Sequence, residues 1–380
     1  MLPLVCSATQ LPRLLPRALA GEVVLLPTQH THESAAMHPL VPVTEPGAAV
    51  IVTTSGSTGN PKGVVLSAKA MLASARATRT HLGGAPMHWY TPLPLHYVAG
   101  LMVLVRAHEA GTIPVLLDPH LGDLPAPHPT EKRALSIVPT HLHRALDDPA
   151  QVKKLAAFEV VLLGGAPAPA DLLDRARAAG IRVVTTYGMS ETSGGCIYDG
   201  VPLPGVEVGL DEGDGTDGSG RIRITGPMLF EGYRLDPDAT AKALVDGRLI
   251  THDRGAWTPA GHLRVLGRID DVVISGGVNV DLAEVQRHLA VVAPAQAAVV
   301  VGVPDEEWGT RVVLVTENPD NPASGTPAQP TEDLAHWRDA LAASGLGRAA
   351  LPRQVVRVNR LPRTPSGKID RQACIRLAAG

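Results

Sequence analysis

One loop constrains the chain more than any other stretch. Ala48-Ala49-Val50-Ile51-Val52 is a short apolar run with the character of a buried strand. It leads into Thr53-Thr54-Ser55-Gly56-Ser57-Thr58-Gly59-Asn60-Pro61-Lys62-Gly63-Val64-Val65, and the stretch from Leu66 to Ala75 beyond reads as a helix. Three glycines, five hydroxyl residues and one lysine share the loop. Backbone N–H groups and hydroxyls can approach an anion there with no Cβ in the way, and Lys62 adds a mobile positive charge. The physical reading is a phosphate cradle on a strand end. It is not the common nucleotide loop, because Pro61 stands where that pattern needs a glycine before the lysine. Taken alone, such a cluster also fits a plain solvated turn.

The rest of the chain sets the context. From 48 to about 266, apolar runs alternate with helical stretches. Ile113–Leu117, Leu135–Val138, Val160–Leu163 and Ile181–Thr185 read as strands, with a short helical piece at Leu142–Leu146 and a longer helix at Ala170–Ala179. This alternation predicts an α/β architecture with mainly parallel strands. Arg221-Ile222-Arg223-Ile224-Thr225 alternates like a half-exposed antiparallel strand. Near 266 the character changes. A polar joint, Gly267-Arg268-Ile269-Asp270-Asp271, precedes a strand Val272-Val273-Ile274 and a Gly276-Gly277 turn. A helix then runs from Asp281 to Leu289, with Asp281 as N-cap and Glu284 three residues on. Residues 317–330, rich in proline, read as a surface loop, and Thr331 caps the helix after it. A large domain over 1–266 and a small one over 267–380 are therefore expected, with a hinge near 268–271.

Lys plus Arg is 34 against 37 for Asp plus Glu, so the net charge of −3 points to neither nucleic acid nor a membrane surface. No run approaches the length of a membrane helix. Cys6, Cys196 and Cys374 are too far apart for a metal-ligand or disulfide framework, which fits a reducing cytoplasm. His30, His32 and His38 cluster without acidic or cysteine partners and read as a surface loop. Arg13, Arg17 and several prolines break up the N-terminal apolar stretches, unlike a secretory signal.

Five stretches beyond the loop carry chemistry. Leu162-Leu163-Gly164-Gly165-Ala166-Pro167 is a strand entering a glycine turn, at the sheet edge where a nucleotide base lies in such folds. A bare strand-to-helix turn is the alternative. Tyr187-Gly188-Met189-Ser190-Glu191-Thr192 offers a ring to stack on a base, hydroxyls for phosphate and a carboxylate for Mg²⁺. It could equally be an ordinary helix-start loop. Thr251-His252-Asp253-Arg254-Gly255 and the joint at 267–271 could each be a charged turn. Leu361-Pro362-Arg363-Thr364-Pro365-Ser366-Gly367-Lys368-Ile369-Asp370-Arg371 ends in a lysine that would, alone, be inert and solvated.

In this order, from about residue 48 to the C-terminus, these stretches resemble the acyl-adenylate-forming superfamily of acyl-CoA synthetases, luciferases and peptide-synthetase adenylation domains. T-S-G-S-T-G-N-P-K-G-V matches its phosphate loop, Y-G-M-S-E-T its second motif and P-R-T-P-S-G-K-I-D-R its C-terminal motif. The resemblance implies the adenylate-forming enzyme fold, a large N-terminal α/β domain with a small mobile α+β C-terminal domain. It implies ATP, Mg²⁺ and coenzyme A as cofactor and co-substrates. It places Thr54, Ser55, Gly56, Ser57, Thr58, Gly59 and Lys62 on the ATP phosphates. Gly164, Gly165, Ala166, Pro167, Tyr187, Gly188, Asp253 and Arg268 fall on adenine and ribose. Glu191, Thr192 and Lys368 become catalytic, Glu191 the metal ligand and Asp270 the hinge. Only 52 residues precede Thr53, so the large domain is shortened relative to most of the superfamily.

Ile274-Ser275-Gly276-Gly277-Val278-Asn279 is similar to the S-G-G-x-N run of o-succinylbenzoate–CoA ligases, where many other relatives carry lysine at the Ser275 position. The expected activity is thus AMP-forming ligation of a small carboxylic acid, 2-succinylbenzoate, to coenzyme A, in the cytoplasm. An aryl- or fatty-acid–CoA ligase, an adenylation domain loading a carrier protein and a non-enzymatic binding homologue stay open; a homodimer is allowed but not specified. Pro92–Gly100 resembles the segment lining the acid site, with His96, Arg106, Ser136 and Thr140 as candidate acid contacts. For Arg106, which closes the apolar run Leu101–Val105, the plainer reading is a head snorkelling to solvent or paired with Glu109.

Overall fold

The computed structural model describes residues 1–28, 37–55, 61–126, 128, 130–211, 218–292, 298–317, 331–363 and 369–379. Residues 1–209, 223–251 and 258–263 form one compact unit; 210–222, 252–257 and 264–380 form another.

A seven-stranded sheet organises the first unit. Its order in space is Val201–Pro202, Gly194–Tyr198, Val183–Met189, Val160–Leu163, Arg133–Ile137, His88–Thr91 and Val115–Leu116. The five strands from Val183–Met189 to Val115–Leu116 are parallel, and Gly194–Tyr198 turns back antiparallel. Alternate residues along a strand serve opposite faces. Leu135, Ile137, Val161 and Leu163 pack with Leu142, Leu172 and Ala176 on one face. Ala134, Val160 and Leu162 pack on the other with Trp89, Val103, Ala107 and Tyr198. The helix Val98–Glu109 covers this second face and is buried from Gly100 to Ala107. Gly100 has to be glycine, since a Cβ would meet the Pro94 carbonyl oxygen at 2.4 Å.

A five-stranded sheet runs Pro3–Cys6, Val24–Pro27, Ala48–Ser55, Pro61–Ser67 and Gly232–Tyr233. Here the expected helix start at Leu66 is corrected. Pro61–Ser67 is a strand, paired antiparallel with Ala48–Ser55 (Ile51↔Val65, Val52↔Val64, Thr54↔Lys62), and the helix runs Ala68–His81. Two adjacent β-branched residues fit a pleated, buried surface, and Ser67 then caps the helix through the Ala70 N–H at 3.1 Å. The phosphate loop therefore joins two antiparallel strands. A further sheet runs Glu207–Leu210, Gly220–Thr225, Arg248–Trp257 and Leu244–Val245, with Leu263–Arg268 paired to Arg248–Trp257.

In the second unit the sheet order is Val278–Asp281, Val272–Ser275, Gly309–Glu317 and Ala298–Asp305, with Gln354–Val358 paired to Gly309–Glu317. Val300, Val312 and Leu314 face the helices Leu282–Val292 and Thr331–Ala343, while Val299, Val301 and Val313 face Cys374 and Ala378 of Arg371–Ala378. Gly276 and Gly277, both at positive φ (60° and 78°), make the two-residue hairpin between Val272–Ser275 and Val278–Asp281. Asp281 caps the following helix, its Oδ1 accepting from the N–H of Ala283 (2.8 Å) and Glu284 (3.3 Å). Among the described residues no helix is long and apolar enough to cross a membrane.

Candidate active site

Gly56, Ser57, Thr58 and Gly59 lie outside the described residues, as does the side chain of Ser55. The Thr54 hydroxyl donates to the Lys62 carbonyl at 3.3 Å, and the adjacent Thr53 hydroxyl is buried with no hydrogen-bond partner. Gly63 sits where a Cβ would come 2.8 Å from Met37 Sδ and 3.1 Å from Arg234 Cβ, so any larger residue would have to displace these side chains. Arg234 in turn donates to the carbonyls of Met37 (2.8 Å), His38 (2.9 Å) and Val41. One buried guanidinium thus ties residues 37–41 to the base of the loop.

Glu191 occupies a 3-10 turn, Ser190–Thr192, at the carboxyl end of the strand Val183–Met189. Thr192 was expected in the catalytic set. Its side chain is fully buried and its hydroxyl is committed to backbone, 2.9 Å from the Met189 N–H and 2.6 Å from the Gly194 carbonyl. It holds the turn. Gly188 allows the antiparallel strands Val183–Met189 and Gly194–Tyr198 to pair closely, because a Cβ there would meet the Gly194 carbonyl oxygen at 2.1 Å. The Glu191 carbonyl accepts from the Phe230 N–H at 2.9 Å, and its carboxylate Oε1 accepts from the Tyr233 hydroxyl at 2.7 Å. The Lys62 ammonium lies over the same Tyr233 ring, 4.8 Å from its centre. Among the described residues Lys62 and Glu191 form no ion pair, with each other or elsewhere. Burial pushes the Tyr233 phenol well above its usual range, and the Glu191 charge and hydrogen bond raise it further. The phenol therefore stays a donor.

The loops that follow the parallel strands gather on one sheet edge. Gly164 and the exposed Gly165, Ala166 and Pro167 follow Val160–Leu163; a Cβ on Gly164 would meet the Thr186 hydroxyl at 2.3 Å. Tyr187 and Gly188 end the neighbouring strand. His96 is 7% exposed, its ring against Tyr97 at 4.1 Å. Ser136 is buried near the end of Arg133–Ile137, and Thr140 is exposed in the helix Pro139–Ala145 just beyond. Next to it, His141 Nδ1 accepts from the Val138 N–H at 3.4 Å. Burial, with Arg144 and His120 nearby, pushes the His141 pKa down to about 4.

Arg106 takes neither of its plain readings. It is only 5% exposed, and Glu109 pairs with Arg79 instead, at 3.1 Å. Its guanidinium stacks over Trp89 (5.2 Å) and reaches the buried Tyr198 hydroxyl at 3.4 Å, while Nε has no partner. Gly194, two residues past the Glu191 turn, lies beside it: a Cβ there would be in ordinary van der Waals contact with Nη2, at 3.9 Å. No hydrogen bond among the described residues joins Arg106 to His96, Ser136 or Thr140.

Asp253, Arg268 and Asp270 belong to the second unit. Asp253 is half-buried in the strand Arg248–Trp257. Arg268 Nη2 donates to Asp270 Oδ2 at 2.9 Å, and His252 Nδ1 lies 3.4 Å from the same carboxylate. Partial burial raises the Asp270 pKa, but the Arg268 hydrogen bond and His252 outweigh it and hold it below the ordinary range. Asp271, one residue on, accepts from Arg371 at 2.6 Å. Lys368 lies outside the described residues. Ser275, where many superfamily members carry lysine, is 1% exposed in the hairpin, its hydroxyl unpartnered.

The donor set suits a phosphate-bound Mg²⁺. The described residues hold no group of three or more His, Cys, Asp or Glu that could cage a metal. Mg²⁺ needs only one or two protein carboxylates when phosphates complete its shell. Glu191 supplies one, with a single donor on Oε1.

Two residues of this site escape the sequence reading: Tyr233 and Arg234. Phe-Glu-Gly-Tyr-Arg carries no spacing rule, and Tyr233 meets Glu191 across 42 positions. The one local signal is a Gly-Tyr pair just before the Asp236 helix cap, whose side chain accepts from Ala239 N–H.

Comparison with known proteins agrees with this geometry. The AMP-binding enzyme family matches residues 11–234, and the AMP-binding enzyme C-terminal domain matches 284–368. A probable 2-succinylbenzoate–CoA ligase of Mycobacterium tuberculosis is 41% identical, over 98% of this chain and 97% of its own. The 2-succinylbenzoate–CoA ligase of Enterococcus faecalis is 30% identical over 84% of this chain and 68% of its own. Among solved structures, o-succinylbenzoate CoA synthetase from Bacillus subtilis with its acyl-adenylate intermediate superposes with a TM-score of 0.75, at 26% identity, covering 98% of this chain and 82% of that one.

Proposed function

The chain belongs to the AMP-binding enzyme family, and from that premise we infer that it is an ATP-dependent, AMP-forming acid–thiol ligase joining 2-succinylbenzoate to coenzyme A in menaquinone biosynthesis. It acts in the cytoplasm, where its three buried, unpaired cysteines stay reduced. A carboxylate is a poor electrophile. In the first step its oxygen attacks the α-phosphorus of ATP and pyrophosphate leaves, giving a mixed anhydride. In the second the coenzyme A thiol attacks the acyl carbon and AMP leaves.

The loop around Thr54 and Lys62 takes the ATP phosphates in this reading. The edge at Gly164–Pro167, with Tyr187 and Gly188, takes adenine, and Asp253 takes the ribose. Glu191 holds Mg²⁺, which when bound neutralises phosphate charge. Lys368 serves the first step and Asp270 is the hinge on which the C-terminal part turns.

One observation carries the substrate: Arg106 is a buried cation with no carboxylate among the described residues. 2-Succinylbenzoate has two carboxylates and only the succinyl one is activated. The aromatic carboxylate must be held without reacting, and a desolvated guanidinium beside a bare glycine backbone suits it. The test is a panel of mono- and dicarboxylic acids assayed for pyrophosphate release and for thioester formation. 2-Succinylbenzoate is expected to lead both; no release with it removes the substrate while leaving the adenylate chemistry standing.

A further inference from the structure

We propose that Tyr233 is a positioning residue that keeps the loop cation and the metal carboxylate apart and orients the carboxylate. This rests on the reading of Glu191 as the Mg²⁺ ligand. Lys62 and Glu191 are the opposite charges of the two strongest motifs, and they meet on one side chain: the ammonium lies on the ring face at 4.8 Å, and the carboxylate takes the hydroxyl at 2.7 Å. Without the ring between them, a lysine and a glutamate at one site pair with each other, and each is lost to the ligand. With it, Lys62 remains available to phosphate. One oxygen of Glu191 is fixed by a neutral donor, and the other is turned free for the metal.

Tyr233 itself has little freedom. It sits on the edge strand Gly232–Tyr233, in register with Val64 two residues from Lys62. Its N–H donates to the Thr240 hydroxyl at 2.8 Å, and its ring packs edge-on against Phe230 at 5.0 Å. Phe230 also fixes the Glu191 backbone. Ring, hydroxyl and backbone are each held by a different partner, as a side chain that orients a metal ligand requires.

Two variants separate the ring from the hydroxyl. Tyr233→Phe keeps the platform for Lys62 and loses only the hydrogen bond. Tyr233→Leu loses both. Binding of Mn²⁺ in the presence of α,β-methylene-ATP, followed by electron paramagnetic resonance, reads the metal directly, and ATP-pyrophosphate exchange gives the nucleotide KM at saturating Mg²⁺. Tyr233→Phe is expected to weaken Mn²⁺ binding by roughly tenfold or more, the cost typical of removing a ligand-orienting partner, with the nucleotide KM nearly unchanged. Tyr233→Leu is expected to raise that KM as well. Unaltered Mn²⁺ binding in Tyr233→Phe overturns the proposal, as does a nucleotide KM that rises equally in both variants. Glu191→Gln is the control: if Mn²⁺ binding survives it intact, the metal assignment of Glu191 has failed and the proposed role of Tyr233 falls with it, whereas loss in Glu191→Gln with unaltered binding in Tyr233→Phe overturns the role of Tyr233 alone.

Discussion

Replacing Arg106 by Met should make the protein more stable and a worse enzyme. A guanidinium at 5% exposure has lost most of its hydration, which costs several kcal/mol per buried ion. Its partners return little. The stack on Trp89 at 5.2 Å is worth about 1 kcal/mol, and a hydrogen bond stretched to 3.4 Å less than that. Glu109, the nearest candidate counter-charge along its helix, pairs with Arg79. The balance is a residual cost of about 1–3 kcal/mol, which an unbranched apolar side chain of similar length removes. The unfolding midpoint of Arg106→Met should rise by a few degrees. In the same variant, loss of a charge-assisted hydrogen bond worth about 1.5–3 kcal/mol should raise the KM for 2-succinylbenzoate by roughly 10- to 150-fold, with the KM for ATP within a factor of about two. Thermal unfolding and steady-state pyrophosphate release read the two effects separately. An unchanged KM for the acid takes Arg106 out of the site. A falling midpoint refutes the account of an underpaid charge.

Lys368→Ala should lower adenylation by on the order of 10²–10³ while a preformed acyl-adenylate still transfers to coenzyme A; equal loss in both half-reactions defeats the assignment. Asp270→Pro restricts φ at the joint and should trap one state, the adenylating one, so that half-reaction persists while thioester formation fails; wild-type rates in both mean the pivot lies elsewhere. Gly188→Ala forces a Cβ into the Gly194 carbonyl oxygen, 2.1 Å away, and should lower the unfolding midpoint and adenylation together; a silent substitution contradicts this close strand pairing. His141 is pushed down to about 4, so below its ordinary value of about 6.5 the unfolded chain binds the extra proton and stability declines as pH falls from about 6.5 towards 4. His141→Gln should flatten that decline by on the order of 1–3 kcal/mol in urea titrations across this window, and an unaltered slope removes His141 as its source.

The motifs with strict local spacing were legible in the chain, and the contacts between them were not. Val160–Leu163 coincides with its expected strand, marked by its unbroken apolar run, and Asp281 caps its helix as expected, because a cap depends on neighbours within one turn. Leu66 misleads because Gly63-Val64-Val65-Leu66 is apolar without a clear period, and only the pairing with Ile51 and Val52 decides for a strand. Arg106 shows the same limit. Its position suggests an exposed helix end, yet Gly194 and Tyr198, remote in sequence, enclose it. Tyr233 and Arg234 are the extreme case, since their contacts to Glu191 and to Met37 span 42 and 197 positions and no local spacing announces them.

The two-residue strand Gly232–Tyr233 also sets an order of assembly. Its partners Val64 and Val65, and the Met37 carbonyl held by Arg234 from 197 positions away, leave the ribosome long before it does. Until residue 234 emerges, the edge of Pro61–Ser67 stays unpaired and the phosphate loop unbraced, an open template for misassociation. Nascent chains halted before 232 should be readily cleaved near the loop and those halted well beyond 240 protected, so the cation and carboxylate of the site come under control in one late event, when a single Tyr-Arg pair closes the sheet.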